Sequence, residues 1–279
     1  MLKYIVFFLL FLTLLPARSQ NNAGARASAM GGASLCLADV WSCENNQAGL
    51  ARLKGLVFGA SYENRFLLRP LSTSSVVCAL PTKKGCFGFS YKGFGYSAYK
   101  ETKLGLGYGM ALSEIFSFGL QFNYIHLQLM DVYGKAQTLS AEIGFQGRLS
   151  KKLNVAGHLY NPNRAKLTTY NNETIPIQLN LGLQYIFSDY VVVLLDAEKA
   201  TYTALNIKSG LEYRPAKDIC IRAGASSVPL QLSFGAGVCK KKLNIDISSS
   251  YHTVLGFSPQ IALSYKLSRQ GLLPANKPK

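Results

Sequence analysis

The sequence predicts an all-β protein, a transmembrane antiparallel up-and-down β-barrel of about fourteen strands, an even count as bacterial outer-membrane barrels have. Three observations carry this: long alternating segments with one apolar face, short turns interleaved with longer loops, and an export signal at the N-terminus. The clearest alternation lies in Thr174 to Phe187, where Ile175, Ile177, Leu179, Leu181, Leu183, Tyr185 and Phe187 interleave with Pro176, Gln178, Asn180, Gly182, Gln184 and Ile186. Successive side chains of a strand point to opposite sides of the pleat, so this spacing builds one apolar face. The segment exceeds the usual globular strand of about 5 or 6 residues and suits a tilted strand crossing a bilayer, which needs about 9 to 11.

In chain order, residues 1–19 read as a secretory signal peptide. Lys3 supplies a positive start, Tyr4 to Leu15 an apolar run, and Ala17-Arg18-Ser19 a small-x-small cleavage site before Gln20. The run is too short for a spanning helix of about 20 residues. No Cys follows the cleavage site, which argues against a lipoprotein anchor. Residues 20–54 do not alternate and are rich in small side chains. From residue 55 to 267 the strand pattern recurs. Leu104, Leu106, Tyr108, Met110 and Leu112 form one apolar row, and Phe116, Phe118, Leu120, Phe122 and Tyr124 the next. Leu139, Ala141, Ile143, Phe145 and Leu149 face Ser140, Glu142, Gln146 and Arg148. Leu230, Leu232, Phe234 and Val238 follow, then Leu243, Ile245 and Ile247, then Ile261, Leu263, Tyr265 and Leu267. Residues 268–279 form a basic, Pro-containing tail, expected in the periplasm.

The connections point the same way, because such barrels place short turns on the periplasmic side and longer loops outside. Short polar turns are expected at Pro81 to Gly85, Leu112 to Ile115, Leu149 to Leu153, Phe187 to Tyr190, Arg214 to Asp218 and Val238 to Leu243. Longer loops are expected at Glu63 to Thr73, Gly95 to Thr102, Leu129 to Gln137, Asn161 to Pro176, Ala197 to Leu205 and His252 to Pro259, with a short link at Ser226 to Val228 as the exception. An open sheet edge in lipid would leave backbone groups unpaired at several kcal/mol each, so the last strand is expected to pair with the first. Gln260, Ala262, Tyr265 and Leu267 resemble the C-terminal signal read by barrel-assembly machinery, placed here before the tail.

Composition narrows the partners. With 48% hydrophobic and only 16% charged residues, the chain is apolar for a secreted soluble protein, and 16 Tyr, 15 Phe and 25 Gly favour strands. The formal charge of +16 falls to +14 when Lys3 and Arg18 leave with the signal peptide (16 − 2). An exported chain does not meet nucleic acid, so anionic lipid headgroups, a charged cell-wall polymer or an acidic protein are the expected counterparts. Lys83-Lys84, Lys151-Lys152 and Lys240-Lys241-Lys242 fall in the predicted periplasmic turns. Arg65, Arg69, Arg164 and Lys166 fall in the outer loops, where lipopolysaccharide phosphates are natural counter-ions. The six cysteines, Cys36, Cys43, Cys78, Cys86, Cys220 and Cys239, contain no CxxC pair. Cys36 and Cys43 are close enough in sequence to be bridged, the alternative being free thiols used as small apolar residues.

In the non-alternating segment the run GARASAMGGASLCLADVW, followed by NNQAGLARL, resembles the N-terminal signature of the FadL/PorV/PorQ-type outer-membrane proteins, of the form GARxxxMGGAxxAxADD…NPAGLA. The matching residues include Gly24, Arg26, Met30, Gly31, Gly32, Asp39, Asn46 and Gly49. The resemblance implies that residues 20–54 form a hatch inside a fourteen-strand barrel. Gln47 stands where the family has proline, which loosens the turn there because proline fixes φ.

No catalytic site is expected. His126, His158 and His252 sit in different predicted hairpins without the Ser and Asp spacing of a triad, and neither a metal-ligand framework nor a cofactor motif is present. By alternation, Lys92, Glu142, Arg148, Asp196, Glu198, Lys208, Glu212, Arg214, Arg222, Asp246 and Lys266 should point into the lumen. Their mixed signs suggest paired charges rather than a selectivity filter. Val192 and Leu194, on the strand of Asp196 and Glu198, leave room for a small hydrophobic pocket. Resemblance to FadL implies a transporter-like path that captures small hydrophobic molecules in the outer membrane of a Gram-negative bacterium and releases them through a lateral opening. Resemblance to PorV and PorQ implies instead a non-transporting accessory or anchoring component of type IX protein secretion.

Overall fold

The computed structural model describes residues 24–129, 134–167 and 173–267; the signal peptide and the C-terminal tail lie outside the described residues. The strands are β1 (Leu56–Asn64), β2 (Ser72–Pro81), β3 (Cys86–Tyr96), β4 (Tyr99–Ala111), β5 (Phe116–Leu129), β6 (Lys135–Arg148), β7 (Leu153–Tyr160), β8 (Lys166–Leu167), β9 (Glu173–Thr174), β10 (Gln178–Ile186), β11 (Val191–Ala200), β12 (Asn206–Ala216), β13 (Ile219–Ser227), β14 (Leu230–Cys239), β15 (Leu243–His252) and β16 (Gly256–Leu267). All but β8 and β9, a two-stranded hairpin, join one closed antiparallel barrel of fourteen strands. β1 closes it on β16, from Leu56 opposite Leu267 to Glu63 opposite Gln260. No helix among the described residues is long and apolar enough to cross a membrane.

Alternation decides what each face meets. On β5, Phe116, Phe118 and Phe122 are exposed outward, while Ser117, Gln121 and Asn123 are buried inward. The same outward row continues through Leu179, Leu181, Leu183 and Tyr185 on β10 and Ile261, Leu263, Tyr265 and Leu267 on β16. An apolar belt around a polar interior is the reverse of a soluble protein and fits a hydrocarbon surround.

Six tight turns, at 82–85, 112–115, 149–152, 187–190, 217–218 and 240–242, share one rim, here called the turn rim. The opposite loop rim departs from expectation at two hairpins. Tyr96 pairs with Tyr99, and His252 with Gly256, so the supposed loops at 95–102 and 252–259 continue largely as strand. Mixed Gly, Tyr and Lys hid the alternation in the first. In the second, Pro259 reads as a breaker, yet it lies just past the last β1 pair, Glu63 with Gln260, where a strand tolerates proline.

β10 is also shorter than its sequence pattern. It begins at Gln178 because Pro176 has no N–H for a ladder, and its neighbours are engaged elsewhere: Ile175 N donates to Ala165 O and Thr201 N to Ile177 O. β7 stops at Tyr160, opposite Glu142, so the loop-rim half of β6 lacks a strand on that side. Asparagines finish the edge: Asn161 N donates to Ala141 O, Ala141 N to Asn163 Oδ1, and Asn163 Nδ2 to Leu139 O. Among the described residues, a register shift between Tyr213 and Ala216 on β12 brackets Pro215, which cannot donate.

Gly24 onward lies inside the wall. Helix α1 (Gly24–Ala29) is followed by short 3₁₀ turns at Val40–Cys43 and Gln47–Arg52. Asp39 Oδ1 caps the first by accepting from Trp41 N at 3.0 Å, and Asn46 Oδ1 caps the second by accepting from Ala48 N at 3.2 Å. Trp41, Val40, Cys43 and Leu50 pack on Val77, Ala79, Cys86 and Ala262 of the inner wall. Met30, Ala33 and Leu37 pack on Leu194 and Val192. The wall admits the segment through missing side chains: a Cβ on Gly224 would fall within the backbone of Met30 and Gly31, and one on Gly119 within that of Gln47 and Ala48.

Candidate functional site

Two charge clusters tie the inner segment to the wall. The first centres on Glu212 of β12, whose carboxylate is 1% exposed and receives three arginines. Arg26 of α1 grips it in a bidentate fork, Nε to Oε2 at 2.9 Å and Nη2 to Oε1 at 3.0 Å. Arg222 Nε donates to Oε2 at 2.7 Å and Arg214 Nη2 to Oε1 at 2.6 Å. Arg26 Nη1 reaches Asp39 Oδ2 at 3.1 Å, and Arg222 Nη1 reaches Asp246 Oδ1 at 2.6 Å. Three cations meet three carboxylates, so the formal charges of this cluster cancel. Burial lifts the Asp39 carboxyl above its ordinary value, against the lowering pull of Arg26.

The second cluster centres on Glu142 of β6, buried near the loop-rim end of β7. Its Oε1 accepts from Lys103 Nζ at 2.7 Å and Asn123 Nδ2 at 2.8 Å; its Oε2 accepts from Gln47 Nε2 at 2.8 Å. His158 Nε2 lies 3.0 Å from Oε2, and its Nδ1 is 3.3 Å from Asn180 Nδ2. Asn180 has only donors on that nitrogen, so Nδ1 accepts and Nε2–H donates to Glu142. Gln47, the residue that departs from the proline signature, therefore supplies the segment's link to this cluster. Lys103 also lies over the Tyr160 ring, 5.0 Å from its centroid.

Between this cluster and the segment a cleft opens at the loop rim. Lys103, Glu142, His158, Asn180, Asp196 and Lys208 line its wall side, and Gly32, Ser34, Leu35, Glu44 and Asn45 its floor. Asp196 Oδ2 accepts from Ser34 N at 2.7 Å and Leu35 N at 3.1 Å, fixing the floor. Lys208 Nζ pairs with Glu198 at 2.7 Å, and Lys92 with Glu44 at 3.8 Å. The cleft has a volume of about 50 Å³, and what it presents is mostly polar groups. Among the described residues no group of His, Cys, Asp and Glu is arranged to hold a metal.

Arg222 and Asp246 meet at the first cluster, Asp196 and Glu198 line the cleft with Glu142, and Arg148 stands exposed at the end of β6, apart from both. The hydrophobic pocket expected beside Val192 and Leu194 is filled by Met30 and Leu37. The resemblance residues sit at tight points: Gly31 and Gly32 have φ of 65° and 83°, and a Cβ on Gly49 would meet Ser42 Oγ and Leu37 O. Cys36 and Cys43 are not bridged; all six cysteines are free. Lys103 and His158 were missed as cleft residues, although alternation points to Lys103: it lies between outward neighbours on β4.

No protein-family model matches the chain, and no curated protein matches it. Solved structures do. The monoaromatic hydrocarbon channel CymD superposes with a TM-score of 0.71 at 12% identity, covering 89% of this chain and 99% of its own. The toluene transporter TbuX of Ralstonia pickettii gives 0.67 at 12%, covering 89% and 99%, and a FadL homologue of Pseudomonas aeruginosa gives 0.62 at 12%, covering 90% and 99%. The chain thus has the fold of the FadL-type outer-membrane channels.

Proposed function

We propose that this protein is an outer-membrane barrel of a Gram-negative bacterium offering a transporter-like path for small hydrophobic molecules, with residues 24–54 acting as its hatch. The turn rim faces the periplasm and the loop rim the outside, as short turns and longer loops do in such barrels. The observation that carries the reading is the cleft, which opens at the outer rim directly onto the segment that fills the lumen. The shared fold with chains described as hydrocarbon channels and toluene transporters supports it. The polar lining adds a condition: the ligand needs a hydrogen-bonding head beside its apolar body. Mass spectrometry of protein purified in mild detergent should recover such a ligand, and Asn180→Trp, which fills the cleft, should abolish the recovery. An empty wild-type cleft together with unchanged uptake by the variant would overturn the proposal. Barrel-assembly machinery and lipopolysaccharide are the proposed envelope partners.

A second reading, a non-transporting accessory or anchoring component of type IX secretion, is favoured by the charge-paired interior, which ties the hatch to β12 and β6. Recovery of secretion-system proteins in the same purification, in place of a ligand, selects it.

A further inference from the structure

We propose that Cys220 and Cys239 form a thiol–disulfide site that staples the β13–β14 hairpin at its open end. Of the six cysteines, these two have sulfurs in contact, Sγ to Sγ at 3.6 Å. The others turn to backbone carbonyls or pack as small apolar side chains: Cys36 Sγ toward Asn154 O, Cys43 Sγ toward Cys78 O, and Cys86 Sγ toward Phe87 O.

The pairing follows from register. Cys220 stands opposite Gly237, and opposite residues share a face, so Cys239, two positions beyond, also points inward. Gly237 presents no side chain to keep the sulfurs apart. Both cysteines lie at the turn rim, beside the ends at 217–218 and 240–242, where a strand end can adjust without moving the wall. A disulfide closes sulfurs to about 2.05 Å, a movement that side-chain rotation and a strand-end shift supply. Cys220 is buried and Cys239 half-buried, so one thiol is reachable from the periplasm and the other waits behind it.

The chemistry is exchange with a periplasmic oxidant that is itself a protein disulfide. The Cys239 thiolate attacks one oxidant sulfur, forming a mixed disulfide and releasing one oxidant thiolate. The Cys220 thiolate then attacks the Cys239 sulfur and displaces the second. The two cysteines lose two protons and two electrons, and the oxidant disulfide ends as two thiols. The closed loop runs up β13, across Val228-Pro229 and down β14. It fixes the register of the strand that carries Arg222, and with it one of the arginines on Glu212.

The availability of an oxidant rests on the outer-membrane placement above; the geometry of the pair does not. Full-length protein is released from envelopes in the presence of N-ethylmaleimide, digested without reduction and mapped by mass spectrometry. The expected result is a linked Cys220–Cys239 peptide with the other cysteines alkylated, and in Cys220→Ser a Cys239 that becomes alkylated. Reduced, purified protein is then incubated with oxidised glutathione. A linked pair here but free thiols in the envelope upholds the site and counts against the periplasmic placement. Free or glutathione-capped thiols in both arms, or linkage of Cys239 to another cysteine, overturns the proposal.

Discussion

Glu212 concentrates the energetics of the interior at one residue. Arg26, Arg214 and Arg222 all spend donors on it, and Arg222 is itself only 3% exposed. Removing one partner of a buried pair leaves charge uncompensated, which costs about 3–5 kcal/mol. Glu212→Gln should therefore lower the urea midpoint of the detergent-purified barrel by a corresponding amount. Asp39 behaves differently. Its folded carboxyl is raised above the unfolded value, so the folded state binds the proton more tightly. Its contribution to stability is then fully present below the unfolded value and declines as pH rises through the window up to the folded value. Asn keeps an oxygen for the Trp41 cap, so Asp39→Asn should flatten the loss of stability across that window; an unchanged slope would count against the assignment. Both residues were legible as sequence features, Glu212 by alternation and Asp39 by the signature. Their meeting through Arg26 was not.

Among the elements, the inner segment is placed by glycine notches in the strands. Gly224 admits the Met30–Gly31 backbone, and overpacking of that kind costs about 1–3 kcal/mol. Gly224→Val should lift the segment while leaving the barrel assembled. Since about 1.4 kcal/mol is tenfold in an equilibrium, alkylation of buried Cys36 should quicken by about tenfold, with the heat-modifiable mobility of the barrel on gels retained. The strands themselves were readable where alternation was clean, as on β5. Their ends were not, because an end is set by the partner strand. β10 starts at Gln178 since Ile175 and Ile177 bond to the loop rim, and β7 stops at Tyr160 where asparagine side chains take over the edge of β6.

At the scale of the whole molecule, an apolar belt encloses a polar, filled interior, the arrangement that a hydrocarbon surround favours. The outward row then responds to depth. Leu181→Arg, in the middle of β10, should cost about 2–4 kcal/mol, whereas Leu243→Arg, at the turn rim of β15, should cost about 0–1 kcal/mol. Equilibrium folding into lipid vesicles measures both, and equal costs would contradict the placement of the belt.

The sequence by itself determined which residues face outward, where the tight turns fall and which segment stands apart from the strands. Each of these is local: the period of two fixes direction, and turn residues fix reversals. Only the tertiary structure decided which inward residues meet. Arg26 finds Glu212 across 186 positions, Gln47 finds Glu142, and Cys220 finds Cys239. Those pairings depend on the register of each ladder and the stagger of the closed barrel, quantities shared among strands and written in no one of them.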